Sequence, residues 1–179
     1  MKKIPNILTL ARIILAICFV FLYLNNNIII ATIVFFIASI TDTVDGWLAR
    51  KINAVSKWGA LYDPLADKLL TIFALICLTI SGIVELWMVI IIILRDIVTT
   101  IIRLNSFVDK HIPTSNTAKI KTFLQMLIIA TILILLSIGY VDIVYSDIVY
   151  YVMLGLTIIT VWTMIEYIYK IVKSNLLNR

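Results

Sequence analysis

Apolar stretches of membrane-crossing length recur along the whole chain, separated by short polar breaks. A segment inside lipid must satisfy its own backbone hydrogen bonds, which an α-helix does internally. The pattern predicts an all-α membrane protein with six transmembrane helices at roughly residues 8–24, 28–50, 60–81, 86–108, 117–138 and 146–172. Each is near the ~20 residues that cross ~30 Å of hydrocarbon. With 63% hydrophobic and 14% charged residues, a water-soluble fold would lack polar surface. The amino-terminal run looks superficially like a signal peptide. It has no convincing small-x-small cleavage site and Arg12 interrupts it, so it reads as an uncleaved first span. No internal repeat, low-complexity tract or linker divides the chain, and residues 1–179 read as one integral membrane domain.

The distribution of Lys and Arg sets the expected orientation. The breaks at 25–27, 81–85 and 139–147 contain neither, and carry Glu85, Asp142 and Asp147 instead. Lys2, Lys3, Arg50, Lys51, Lys57, Lys110, Lys119, Lys121, Lys170, Lys173 and Arg179 fall on the opposite side. The positive-inside rule then places both termini and the basic loops in the cytoplasm, with the chain in the cell membrane. The net charge of +5 is accounted for by this topology and by anionic lipid, with no nucleic-acid partner required. Cys18 and Cys77 lie in apolar runs and read as small buried hydrophobes. Trp87, Tyr140, Tyr145, Tyr150 and Tyr151 read as an interfacial belt.

Against this apolar background stand four carboxylates, Asp42, Asp45, Asp63 and Asp67, within the stretch DTVDGWLARKINAVSKWGALYDPLAD. Ionised groups in apolar helices are costly, and they mark sites that bind or pair. At 1.5 Å per residue, Asp42 lies about 21 Å and Asp45 about 26 Å from Ile28, while Asp67 lies about 21 Å and Asp63 about 27 Å from Ser81. Antiparallel neighbours would bring the two pairs level, just inside the cytoplasmic interface. Each pair's spacing puts both acids on one helical face. Four such groups would repel one another unless cations balanced them. Hard oxygen donors without His or Cys point to two divalent cations, Mg2+ or Mn2+, clamping a phosphoryl group. Gly46 and Ala49 leave space beside the acids, Arg50 offers a planar fork to a phosphate, and Gly59 relaxes the turn. Pro64 fits best in a first helical turn.

These residues meet the pattern D-x2-D-G-x2-A-R-x8-G-x3-D-x3-D without a departure, and the chain closely resembles the CDP-alcohol phosphatidyltransferase family. The resemblance implies a homodimeric membrane enzyme that transfers the phosphatidyl group of CDP-diacylglycerol to an alcohol and releases CMP. It implies that Asp42, Asp45, Asp63 and Asp67 bind two divalent metals that hold the CDP pyrophosphate. Asp67 would also be the general base. Gly46 and Ala49 would accommodate cytidine, Arg50 would hold a phosphate, and Gly59 would complete the CDP-diacylglycerol-binding set.

Within the family, the chain is most similar to members whose acceptor is glycerol 3-phosphate. The similar stretches are Ile4-Pro5-Asn6 with Leu8-Thr9 and Arg12, the run from Asp63 to Lys68, Arg95-Asp96, Arg103, Lys119-Ile120-Lys121-Thr122 with Gln125, and Ile165-Glu166-Tyr167. Ala118 departs from the glycine common at that position. A phosphorylated acceptor needs cations besides the metals, and Arg95, Arg103, Lys119 and Lys121 are the expected set. Arg95 lies about 14 Å into its span from Leu86, too deep for ordinary positive-inside bias. Two-residue spacing keeps Lys119 and Lys121 off a common helical face. Phosphatidylglycerol, serine and an inositol phosphate are the alternative acceptors. A cation transporter is the remote alternative, opposed by the apolar run 28–38 on the outer side of the acids.

Overall fold

The computed structural model describes residues 4–52, 59–109 and 116–176, with side chains described over 10–41, 68–102 and 117–170. All secondary structure among the described residues is helical: α1 (Ile4–Leu24), α2 (Ile28–Ile52), α3 (Gly59–Ile80), α4 (Leu86–Asp109), α5 (Asn116–Ser137), α6 (Val141–Val144) and α7 (Asp147–Leu176). The six long helices coincide with the six apolar runs. The single turn α6 is an addition, too short to leave a periodic signal in the sequence. Pro64 also departs from expectation, because α3 begins five residues earlier at Gly59. The missing Pro64 N–H would have bonded to the carbonyl of Ala60, so the lost bond falls in the helix's first turn. Thr117–Ser137 and Asp147–Lys170 are long and apolar enough to cross a membrane, and Leu10–Leu24, Ile28–Thr41 and Lys68–Ile80 add shorter apolar stretches.

Three helices end in the same way, and the sequence gives the reason. Asn26, Gly82 and Gly139 have φ of 59°, 71° and 87°, the left-handed region that Gly and Asn tolerate best. After α1, Asn27 N bonds to Leu22 O at 3.0 Å and Asn26 N to Tyr23 O at 3.0 Å. After α3, Ile83 N bonds to Leu78 O at 3.0 Å and Gly82 N to Thr79 O at 2.9 Å. After α5, Tyr140 N bonds to Leu135 O at 2.9 Å and Gly139 N to Leu136 O at 3.2 Å. Each pair is a Schellman closure, which satisfies carbonyls that the helix itself leaves open. Ser81 then ties this end together: Tyr23 Oη shares a 2.9 Å hydrogen bond with its Oγ, and Tyr145 Oη donates to its carbonyl at 3.0 Å.

Packing follows an alternation of small and large residues. α1 lies against α2 and α3, α5 against α2 and α7, and α4 against α3 and α7. Ala16, Ala31, Ala38 and Ala74 are fully buried beside Phe19, Phe35, Leu75 and Leu78. Small residues let helix backbones approach, which matters where lipid removes most of the hydrophobic gain from helix pairing. Phe19 and Phe35 meet across α1 and α2 with ring centroids 5.8 Å apart. Thr32 Oγ1 donates to Ile28 O in its own helix at 2.8 Å and to Leu133 O of α5 at 3.3 Å.

Candidate functional site

A polar cluster interrupts this core where α3, α4, α5 and α7 come together. Arg95 and Asp96 on α4, Lys121 and Gln125 on α5, and Thr163 on α7 are all more than nine-tenths buried. Asp96 Oδ1 accepts from Arg95 Nη1 at 2.9 Å and from Lys121 Nζ at 2.9 Å. Lys121 Nζ also donates to Gln125 Oε1 at 2.6 Å, one helical turn along α5. Arg95 Nη2 donates to Thr163 Oγ1 at 3.2 Å, joining α4 to α7.

The arrangement leaves donors over. Two cations share one carboxylate oxygen, so this trio carries one surplus positive charge. Arg95 Nε is buried and has no hydrogen-bond partner among the described residues. An ammonium has three N–H groups, and only two acceptors face Lys121 Nζ among the described residues. Burying charge is costly unless it is paired, so the spare donors and surplus charge give this cluster the chemistry to take an anion.

Lys68 links this cluster to the helix that bears Asp63 and Asp67. Its Nζ crosses from α3 to α4, donating to Asp96 O at 2.7 Å and to Thr100 Oγ1 at 2.6 Å. Asp67 is its immediate neighbour in sequence, with Cα atoms ~3.8 Å apart across the peptide. Further along α4, Thr99 Oγ1 turns back to Arg95 O at 2.9 Å. Near the start of α5, Glu166 of α7 accepts from Thr117 Oγ1 at 2.5 Å and from Lys170 Nζ at 2.6 Å.

Of the residues expected from sequence, Arg95 and Lys121 meet in one cluster. Lys119 does not join them: it is exposed, while Lys121, two residues on, is wholly buried. That is the separation regular helix demands of an i, i+2 pair. The side chains of Asp42, Asp45, Gly46, Ala49, Arg50, Gly59, Asp63, Asp67 and Arg103 lie outside the described residues. Their backbones lie on continuous helix in α2, α3 and α4, and α2 and α3 are in contact. No group of three or more potential metal ligands occurs among the described residues. Asp96 and Gln125 belong to the site although sequence reasoning assigned them no role. The rule that singled out the other four acids, a carboxylate inside an apolar helix, applies equally to Asp96.

A sequence model of the CDP-alcohol phosphatidyltransferase family matches residues 2–166. The chain belongs to this family. Among similar proteins, one from Rickettsia typhi is 39% identical over 168 residues, covering 89% of this chain and 93% of its own length. One from Bacillus subtilis is 36% identical over 179 aligned residues, covering 90% of this chain and 93% of its own length. One from Haemophilus influenzae is 34% identical and covers 98% of this chain and 96% of its own length. All three bear the name CDP-diacylglycerol–glycerol-3-phosphate 3-phosphatidyltransferase. Family membership and the long apolar helices α5 and α7 place this CDP-alcohol phosphatidyltransferase among membrane proteins.

Proposed function

We propose that this protein transfers the phosphatidyl group of CDP-diacylglycerol to sn-glycerol 3-phosphate, giving phosphatidylglycerophosphate and CMP for phospholipid biosynthesis. The reading is supported by relatives that carry this activity in their names and align over nearly the whole chain. The observation that carries the choice of acceptor is the buried pair Arg95 and Lys121 sharing Asp96 Oδ1. A phosphomonoester dianion would satisfy their unclaimed donors, whereas serine brings no phosphate, and the relatives' names favour glycerol 3-phosphate over an inositol phosphate. Arg103 and Lys119 add positive charge to the same acceptor site at longer range.

Transfer requires the acceptor hydroxyl oxygen to form a bond to the β-phosphorus of the lipid nucleotide. The bond from that phosphorus to the oxygen bridging to CMP breaks, and CMP leaves with the electron pair. Asp67 takes the hydroxyl proton. Asp42, Asp45, Asp63 and Asp67 form an all-oxygen donor set on the continuous helices α2 and α3, which suits Mg2+ or Mn2+. Two such cations would be held there, and they would neutralise the pyrophosphate. Gly46 and Ala49 give the cytidine room, Gly59 relaxes the turn, and Arg50 holds a phosphate. Arg95 and Lys121 orient the acceptor by its phosphate, so that its hydroxyl reaches the phosphorus.

In this reading residues 1–179 form one domain of six spans in the plasma membrane. Both termini and the active site are cytoplasmic, and the enzyme works as a homodimer. The deciding experiment incubates purified protein with CDP-diacylglycerol, Mg2+ or Mn2+ and a panel of alcohols. Phosphatidylglycerophosphate should form from glycerol 3-phosphate alone. Cardiolipin from phosphatidylglycerol, or a serine or inositol-phosphate product in its place, would overturn the assignment.

A further inference from the structure

We propose that Asp96 is a positioning residue: its carboxylate holds Lys121 and Arg95 in the orientation that receives the acceptor's phosphate. The inference rests on the acceptor reading given above. It starts from one oxygen. Asp96 Oδ1 is 2.9 Å from Lys121 Nζ and 2.9 Å from Arg95 Nη1, so two cations from different helices are aimed by a single acceptor. Asp96 Oδ2 has no side-chain partner among the described residues, so the carboxylate is committed at one end only.

The cations are held from their other sides as well. Gln125 Oε1 takes a second Lys121 proton, and Thr163 Oγ1 takes one from Arg95 Nη2. The backbone of Asp96 is anchored in turn, since its carbonyl accepts from Lys68 Nζ at 2.7 Å and from Thr100 Oγ1 at 2.7 Å. Lysine and arginine have long flexible stems, and two like charges packed together without a counter-ion repel. Removing the carboxylate would leave two buried cations repelling each other, each held by a single neutral acceptor among the described residues, Gln125 or Thr163. The phosphate would then have to reassemble the site as it binds, and that cost falls on acceptor affinity.

A different role is physically available: Asp96 as a bolt between α4 and α5. The two roles differ in what they change. A lost bolt lowers thermal stability and the fraction of folded enzyme, and leaves the acceptor KM of each folded molecule alone. A lost positioning group raises the acceptor KM of properly folded enzyme and spares the lipid nucleotide.

The test uses purified full-length enzyme in mixed micelles with CDP-diacylglycerol and Mg2+, with folded fraction followed by size exclusion and thermal unfolding. Asp96→Asn keeps the side chain's shape and is expected to raise the KM for glycerol 3-phosphate about tenfold, with the KM for CDP-diacylglycerol changed less than about twofold. Asp96→Glu restores the charge and is expected to recover most of that loss. An unchanged acceptor KM in Asp96→Asn, an equal rise in both KM values, a fall in kcat alone, or a glutamate no better than the asparagine would each overturn the proposal. Lys121→Ala, measured in parallel, separates the two levels. If it raises the acceptor KM while Asp96→Asn does not, the positioning role falls and the acceptor site stands. If Lys121→Ala leaves the acceptor KM alone, both fall.

Discussion

Lys68 spans the gap between α3 and α4, placing its Nζ 2.6 Å from the hydroxyl of Thr100. The contact ties the helix that carries Asp63 and Asp67 to the helix that carries Arg95 and Asp96. In the proposed reaction the nucleotide end and the acceptor end must be held in register. Lys68 adds a polar tie to the direct packing of α3 on α4.

Lys68→Met should therefore cost activity beyond its effect on folding. It leaves the Asp96 carbonyl and the Thr100 hydroxyl without this donor, for a stability loss of about 1 kcal/mol, in keeping with polar contacts between membrane helices. Thermal unfolding in detergent reads that part. Product formation per folded molecule should fall further, by about tenfold or more, because alignment is lost along with the contact. Wild-type turnover in the folded variant would show that the two helices need no such tie.

Asp67→Asn should abolish CMP release while the protein still folds. An amide cannot take the acceptor's proton, and it is a poor ligand for a hard cation. Chelation by EDTA should likewise stop the wild-type reaction, with Mg2+ or Mn2+ restoring it. Turnover that survives both treatments would contradict the roles given to the four acids.

Lys121→Ala and Lys119→Ala should differ sharply. Lys121 is enclosed and paired, whereas Lys119 is exposed. The first should raise the glycerol 3-phosphate requirement about tenfold or more, and the second much less. Steady-state kinetics with acceptor and lipid varied separately distinguish them. Equal effects would contradict the choice of Lys121 over Lys119 as the acceptor's partner.

Inorganic phosphate should compete with glycerol 3-phosphate and leave the CDP-diacylglycerol dependence unchanged. Arg95 Nε has no hydrogen-bond partner among the described residues, and a simple oxyanion can take such a donor as readily as the substrate's phosphate can. Inhibition patterns at several fixed acceptor concentrations give the answer. Competition against the lipid nucleotide would place the anion elsewhere.

Gly82→Ala should destabilise the protein by about 1 kcal/mol without altering turnover per folded molecule. The cost is conformational, because the backbone there has a φ of 71°. An added Cβ would meet nothing within 4 Å. Thermal unfolding provides the measurement, and an unchanged midpoint would show that the turn readjusts freely.

Much of the helical layout was legible because each long helix is also an apolar run, and length alone separates such runs from strands. What escaped was local or tertiary. α6 is four residues long and leaves no period to read. Asp96 sits beside Arg95 in sequence, which makes it look like a local counter-ion. Its contact with Lys121, 25 residues away, depends on how the tertiary fold places α4 and α5 within reach of a long side chain. Lys68 is a similar case: its position after Asp67 says nothing of its reach to Thr100. Helical parity did separate Lys119 from Lys121, but could not say which of them faces inward.

Lys121 is completely enclosed, with 0% of its surface exposed. Its ammonium gives up its hydration shell when the chain folds, long before any substrate arrives. On the proposed acceptor reading, an incoming phosphate would have only its own water to shed. A neutral alcohol, bringing no charge to a dry cation, gains little by making the same journey. In the proposed reaction, that dryness itself would select for a charged acceptor.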